Sequence, residues 1–344
     1  MSRARDFADL AGAADAGGLT GRNLIINGAA AIDQRNGGSS VTPASSAYTL
    51  DRWLANVTAA SKFSVQQSTV APDNFTNSVL ITSTSAYTPV SGDYISFQTR
   101  IEANNIAHVG WGSSAAKNVT LSFWARSSLT GTFGGSFYFP ASTARTHPFS
   151  YTINSADTWE YKTVTIAGDT ATNTAPTGNS LYVIVQWALG AGSTYQTGTS
   201  GWQNGNYVAP SGVVDLVATS GATFYITGVQ LEVGEQATPF DHSESYGETL
   251  ARCQRYYFTV QAPIAANGRY YSGAHQNQFT VHRNFAVQMR TSPTTVASFT
   301  NLDNTATVTL NNSKSGGVCL AGTFTNSSFM YGVFTDTSTY DAEL

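Results

Sequence analysis

Two glycine-rich stretches hold the side chains best suited to noncovalent chemistry. One is Tyr195-Gln196 followed by Gly201-Trp202-Gln203-Asn204-Gly205-Asn206-Tyr207, and the other is His108-Val109-Gly110-Trp111-Gly112. A pyranose is held by flat apolar faces against its C–H side, with amides or hydroxyls beside them for its oxygens. The first stretch offers both, because glycines let Trp202 and Tyr207 approach a ligand while Gln203, Asn204 and Asn206 sit alongside. Tyr195 and Trp111 complete the set of candidate sugar contacts. The competing reading is that such rings fold back as lids over a core, and it stays open for each of them.

Bond-breaking chemistry finds less support. The chain has no Gly-x-Ser-x-Gly elbow, His-Glu-x-x-His, Walker loop or dinucleotide glycine fingerprint. Its five histidines are dispersed, and His275 and His282, seven apart, would face opposite sides of a strand and could not share a metal. Cys253 and Cys319 stand in no metal-binding or redox spacing and read as buried thiols. No enzyme activity, metal or other cofactor is therefore expected. A pair of sugar-cleaving carboxylates needs no linear motif, but the short regular repeats of a long β-helix are absent.

The elements that would carry these residues read as strands. From Asn23 to about His242 the apolar pattern has period two, with Gly, Pro, Asn or Ser breaks every ten residues or so, as in an all-β sandwich of facing antiparallel sheets. Val119, Leu121, Phe123 and Ala125 share one face of a strand, and Leu181, Val183, Val185 and Trp187 share one face of another. Trp187 should be core and Trp53 should cap the sandwich, with Asp51 and Arg52 as a local pair. Trp124 and Trp159 are undecided, since either could lie on an outward face. The apolar parity flips near Thr227-Gly228, which predicts a one-residue bulge. Past Pro239, Ser245-x-x-Glu248 forms a capping-box pattern ahead of apolar positions at helical spacing, which predicts the one convincing helix. The expected domains are a segment 1–22, a jelly-roll β-sandwich over 23–242, a linker helix over 243–256 and a smaller C-terminal β-sandwich over 257–344.

Only 11% of the 344 residues are charged and the net charge is −4, so the basic footprint of a nucleic-acid binder is missing. No apolar run approaches the roughly 20 residues that span a bilayer, and the N-terminus lacks the apolar core of a secretory signal. Neither nucleic acid nor membrane insertion is expected, and synthesis in a cytoplasm is.

Four landmarks occur in order: NLIINGAAAIDQR (23–35), YTLDRW (48–53), GVQLEVGEQATPFDHSESYGETLARCQRYY (228–257) and DAEL (341–344). Together they resemble tail-fibre or receptor-binding proteins of tailed bacteriophages, whose central region is similar to jelly-roll carbohydrate-binding modules. The resemblance implies a virion protein made in the host cytoplasm, with residues 1–22 docking on tail or baseplate proteins. Arg3 and Arg5, with Phe7 and Leu10 as one apolar edge, are the attachment candidates. It also implies a homotrimer and a host cell-surface polysaccharide as partner. In those modules acidic residues near the opening and closing strands bind calcium; here Ala29 to Ala31 and Thr227-Gly228 take their places, leaving Asp33 and Glu232 nearby. The alternative is a purely structural tail adaptor or decoration protein without a sugar site. A cellular carbohydrate-binding module is a third reading, disfavoured by the missing secretion signal.

Overall fold

In a computed structural model of the chain the described residues are 22–140, 142–171, 173, 175–259, 262–267, 278–296, 299–301, 306–324, 331–336 and 338–344. The attachment candidates Arg3, Arg5, Phe7 and Leu10 lie outside them, as does His275. The chain divides into a larger unit that runs to Thr249 and takes in Leu344, and a smaller one from Leu250 to Glu343.

The larger unit is an antiparallel jelly-roll sandwich. Its strands are β1 (Ala47–Leu50), β2 (Trp53–Val57), β3 (Phe63–Ser68), β4 (Ser78–Ser83), β5 (Tyr94–Glu102), β6 (Val119–Ser127), β7 (Gly131–Phe139), β8 (Arg145–Ile153), β9 (Glu160–Ile166), β10 (Leu181–Ala191), β11 (Gln196–Thr197), β12 (Gln203–Asn204), β13 (Ala209–Pro210) and β14 (Thr223–Val233). One sheet runs β1-β2-β5-β10-β7-β8-β12 and the facing sheet runs β3-β4-β14-β6-β9. Period-two alternation sends Phe97, Phe123, Phe137, Val185 and Trp187 into the space between the sheets, where all are buried. Trp53 is buried with them, stacked on Phe97 at 5.2 Å and donating its indole N–H to the Asn27 carbonyl at 3.0 Å. Asp51 accepts two bonds from Gln34, and Arg52 bonds the Arg100 carbonyl, so the Asp-Arg-Trp turn fastens the first loop to the sheet.

The predicted bulge is present. Register between β14 and β6 slips between Thr227 and Gln230, with Gly228 at φ +59°. At the same point Val229 donates to the Gly28 carbonyl, and a Cβ on Gly28 would sit 2.0 Å from the Val229 carbonyl oxygen, so only glycine admits this approach.

Two short helices are described, α1 (Ala103–Ile106) and α2 (Tyr246–Gln254). The capping box forms as expected: the Ser245 N–H donates to Glu248 Oε2 at 2.7 Å and the Glu248 N–H donates back to Ser245 Oγ at 3.3 Å.

The smaller unit is also all-β, with β15 (Tyr257–Thr259), β16 (Ala262–Asn267), β17 (Gln278–Asn284), β18 (Thr294–Val296), β19 (Phe299–Asn301), β20 (Ala306–Lys314), β21 (Gly317–Phe324), β22 (Tyr331–Asp336) and β23 (Thr339–Asp341). They pair into three three-stranded sheets, β15-β23-β18, β16-β22-β19 and β17-β21-β20. Cys253, Tyr256, Phe285, Met289 and Tyr340 are buried there, with Phe285 and Tyr340 edge to face at 5.0 Å. The side chain of Cys319 is outside those described.

Candidate functional site

The glycine-rich loops hold their aromatics more tightly than an open sugar site would. Trp111 sits just after a 3-10 turn (Ala107–Val109), between Gly110 at φ +66° and Gly112 at φ +86°. That turn points the ring inward: Trp111 is 1% exposed and donates its N–H to the Lys117 carbonyl at 2.9 Å. Its expected role as a glycan contact is therefore corrected to core packing. Trp202 lies edge-on over it at 5.1 Å, against His147 at 5.4 Å, with its own N–H spent on the Ala167 carbonyl at 2.6 Å. Trp202 is a half-buried lid, and burial lowers the pKa of the His147 beneath it.

The polar companions are partly committed as well. Gln203 accepts from Thr197 Oγ1 at 3.0 Å and donates to the Thr199 carbonyl at 2.9 Å. Asn204 accepts from Arg145, whose guanidinium also grips Asp169 at 2.5 and 2.8 Å. Asn204 and Asn206 are exposed. Tyr207 lays its ring across Gly205, and its carbonyl accepts from Ser136 Oγ. Tyr195 packs edge-on to Tyr94 at 4.8 Å, beside Val208 and Ala209, where the loop folds onto the outward face of β10. The structure thus joins Trp111 to Trp202 but gives Tyr195 a separate packing role.

A larger aromatic surface lies on the outward face of the five-stranded sheet. In β6 the core residues Leu121, Phe123 and Ala125 alternate with Ser122, Trp124 and Arg126, which must face out. Trp124 pairs across strands with Tyr161 of β9, ring to ring at 5.4 Å. Two residues along, Arg126 pairs with Tyr225 of β14, and its guanidinium covers that ring at 5.1 Å. Trp159, just before β9, meets Tyr225 edge-on at 6.0 Å. Tyr161 is 41% exposed, and Trp124, Trp159 and Tyr225 are half-buried. Arg126 is paired with Asp157 at 3.3 Å, so the shelf carries little net charge.

What uncovers this half of the face is the covering of the other. Beyond the bulge Gln230 and Glu232 also point outward, yet both are buried. The chain after β14 doubles back across them: Thr238 donates twice to Glu232, and Asp241 donates to Gln230 at 2.8 Å. Arg22 closes the strap, 3.5 Å from Glu232 and bonded to the Pro239 carbonyl. Phe240 and His242 end it by packing on Phe75, whose ring lies over Gly228 beside Trp124. Glu232 is thereby committed to protein donors, and Asp33 accepts from the N–H groups of Asn36 and Gly38. Among the described residues no three His, Cys, Asp or Glu side chains come together as a metal site would require.

The signal for this shelf was present in the sequence as parity. Once Phe123 and Ala125 are assigned inward, a tryptophan and an arginine at the intervening polar positions mark an outward face with something to contact.

No known protein family and no curated protein matches the chain. Among solved structures it is similar to the enzymatically active domain of tailspike protein 4 of bacteriophage CBA120, at 12% identity over 62% of this chain and TM-score 0.33; the match spans 22% of that domain's length. It is also similar to the CBM22-1 xylan-binding domain of Xyn10C from Paenibacillus barcinonensis, at 8% identity over 59% of this chain and 99% of that one, TM-score 0.29. A family 11 carbohydrate-binding module from the Clostridium thermocellum cellulase Lic26A-Cel5E matches at 9% identity over 59% and 99%, TM-score 0.30.

Proposed function

We propose that the chain is a non-catalytic, glycan-binding subunit of a phage tail appendage, held to the tail through residues 1–22 and acting as a homotrimer on host-surface polysaccharide. The observation that carries sugar binding is the outward shelf of Trp124, Tyr161, Trp159 and Tyr225, four rings on a nearly uncharged sheet face. Clustered aromatic rings offer apolar faces to the C–H sides of pyranoses, and Trp124, Tyr161 and Tyr225 are held on strands, so little ordering entropy is lost on binding. Three copies per trimer, and several trimers per particle, would turn modest affinities into firm attachment. The tail assignment rests on the ordered landmarks in the sequence.

A second reading takes the same shelf as a subunit interface in a structural adaptor, since an exposed aromatic patch is also what a neighbouring chain would cover. One experiment separates the two. Fluorescently labelled full-length protein is titrated onto host cells before and after periodate oxidation of their surface sugars. The expected result is saturable binding that oxidation abolishes and that Trp159→Ala with Tyr161→Ala weakens by tenfold or more, about 1.4 kcal/mol. Binding that survives oxidation would remove the glycan reading, and a doubly substituted protein that changes oligomeric mass would favour the interface.

A further inference from the structure

Resting on that reading, we infer that the aromatic shelf is one end of a longer track, which crosses all five strands of the sheet and takes an uncharged, linear oligosaccharide lying perpendicular to them. The shelf occupies the β9, β6 and β14 side. At the opposite edge, beside β3, is a groove of about 490 Å³ lined by Gly37, Gln66, Ser68, Thr69 and Asn77 among others. Gln66 belongs to both regions: it lines the groove, and it begins the cross-strand row Gln66, Leu80, Tyr225, Arg126. Phe75 lies over Gly228 next to Trp124, with Phe240 and His242 packed on it, so it borders the row on the side of the bulge.

The chemistry changes along this row in a way that defines the ligand. The shelf end offers ring faces and the groove end offers amides and hydroxyls, with no Asp, Glu, Lys, Arg or His in its lining. Among the described residues the Gln66 side chain is not drawn into the fold's own hydrogen bonds, which leaves its amide free to serve a ligand's hydroxyls. The cation nearest the rings, Arg126, is already matched by Asp157. A uronate or sialate chain would find no unneutralised cation along the row, whereas a neutral sugar meets partners for both its C–H faces and its hydroxyls. Two strand spacings, roughly 10 Å, separate Gln66 from Tyr225, and four, roughly 19 Å, separate it from the β9 side, so a single sugar cannot span the row.

The test is isothermal titration of the full chain with disaccharides and hexasaccharides from neutral gluco-, manno- and galacto-series, and with oligogalacturonate as an acidic probe. The expected outcome is a neutral hexasaccharide that binds at least tenfold more tightly than its disaccharide. Gln66→Ala should erase that advantage while leaving the disaccharide unchanged, and Trp159→Ala should weaken both. Circular dichroism of each variant checks that the sandwich is intact. Equal affinity at both lengths, no effect of Gln66→Ala on the hexasaccharide, or preference for oligogalacturonate would overturn the track and leave glycan binding by the shelf standing. No binding by any probe, at either length, would take down both.

Discussion

Gly228 shows how much one residue decides. Its positive φ lets β14 skip a position, so that Phe224 and Ile226 before it and Val229 and Leu231 after it all reach the core. An alanine there would adopt a left-handed conformation costing about 1–2 kcal/mol, and its Cβ would press to 2.6 Å on the Phe75 ring. Gly228→Ala should therefore lower the unfolding free energy by at least that amount, read as a lower denaturant midpoint with an unchanged m-value; an unaltered midpoint would contradict the bulge. His147 gives a second residue-scale expectation. Burial disfavours its charged form, so its stabilising contribution is complete above the ordinary imidazole value near 6.5 and is lost as pH falls towards its lower folded value. Trp202 emission, read as the difference from Trp202→Phe, should show an acid transition with midpoint below 6.5 that His147→Gln removes. A midpoint at or above 6.5 would contradict the burial. Period two and the parity flip made the core and the bulge legible in the sequence. The core placement of Trp111 was not, because whether a loop ring points in or out depends on the dihedrals of Gly110 and Gly112 and on a partner, Trp202, 91 residues away.

Elements are held at their ends by short polar devices. The turn between β8 and β9 is closed by Glu160, which accepts from the Asn154 and Ser155 N–H groups and from Lys162. Burial works to raise its pKa, but the bonds from Lys162, Ser155 and Asn154 outweigh it and hold the carboxyl at about 2. The sign follows: the proton binds the unfolded chain more readily, so the contribution is present above about 4.3 and fades as pH falls through about 2. Amide exchange in 154–160 should accelerate over that window, and Glu160→Gln should flatten the dependence. Exchange that is pH-corrected and flat in the wild type would refute it. Of the strap 234–242 only Pro239, standing ahead of the helix signal, was legible in the sequence. The strap's course across Gln230 and Glu232 depends on Arg22 and Phe75, contacts of long sequence separation that no local pattern encodes.

For the whole molecule, the sequence disclosed the fold class because two facing sheets impose alternation on nearly every strand, but it could not disclose which outward face is left bare. If the chain assembles as proposed, multi-angle light scattering at micromolar concentration should return three times 36.4 kDa; a monomer would leave the fibre reading without its oligomer. The arrangement of the shelf also bears on how such a protein can change. On β6, β9 and β14 the residues that hold the sandwich together and those that meet the outside occupy alternate codons of the same short gene segments. Mutations at Trp124, Arg126, Tyr161 or Tyr225 would thus alter the outward surface, the proposed ligand face, while their neighbours Phe123, Ala125 and Phe224 keep the scaffold. If the chain binds host glycans as proposed, a lineage carrying it would shift ligand preference by single-nucleotide steps, without insertions and with the scaffold residues unchanged.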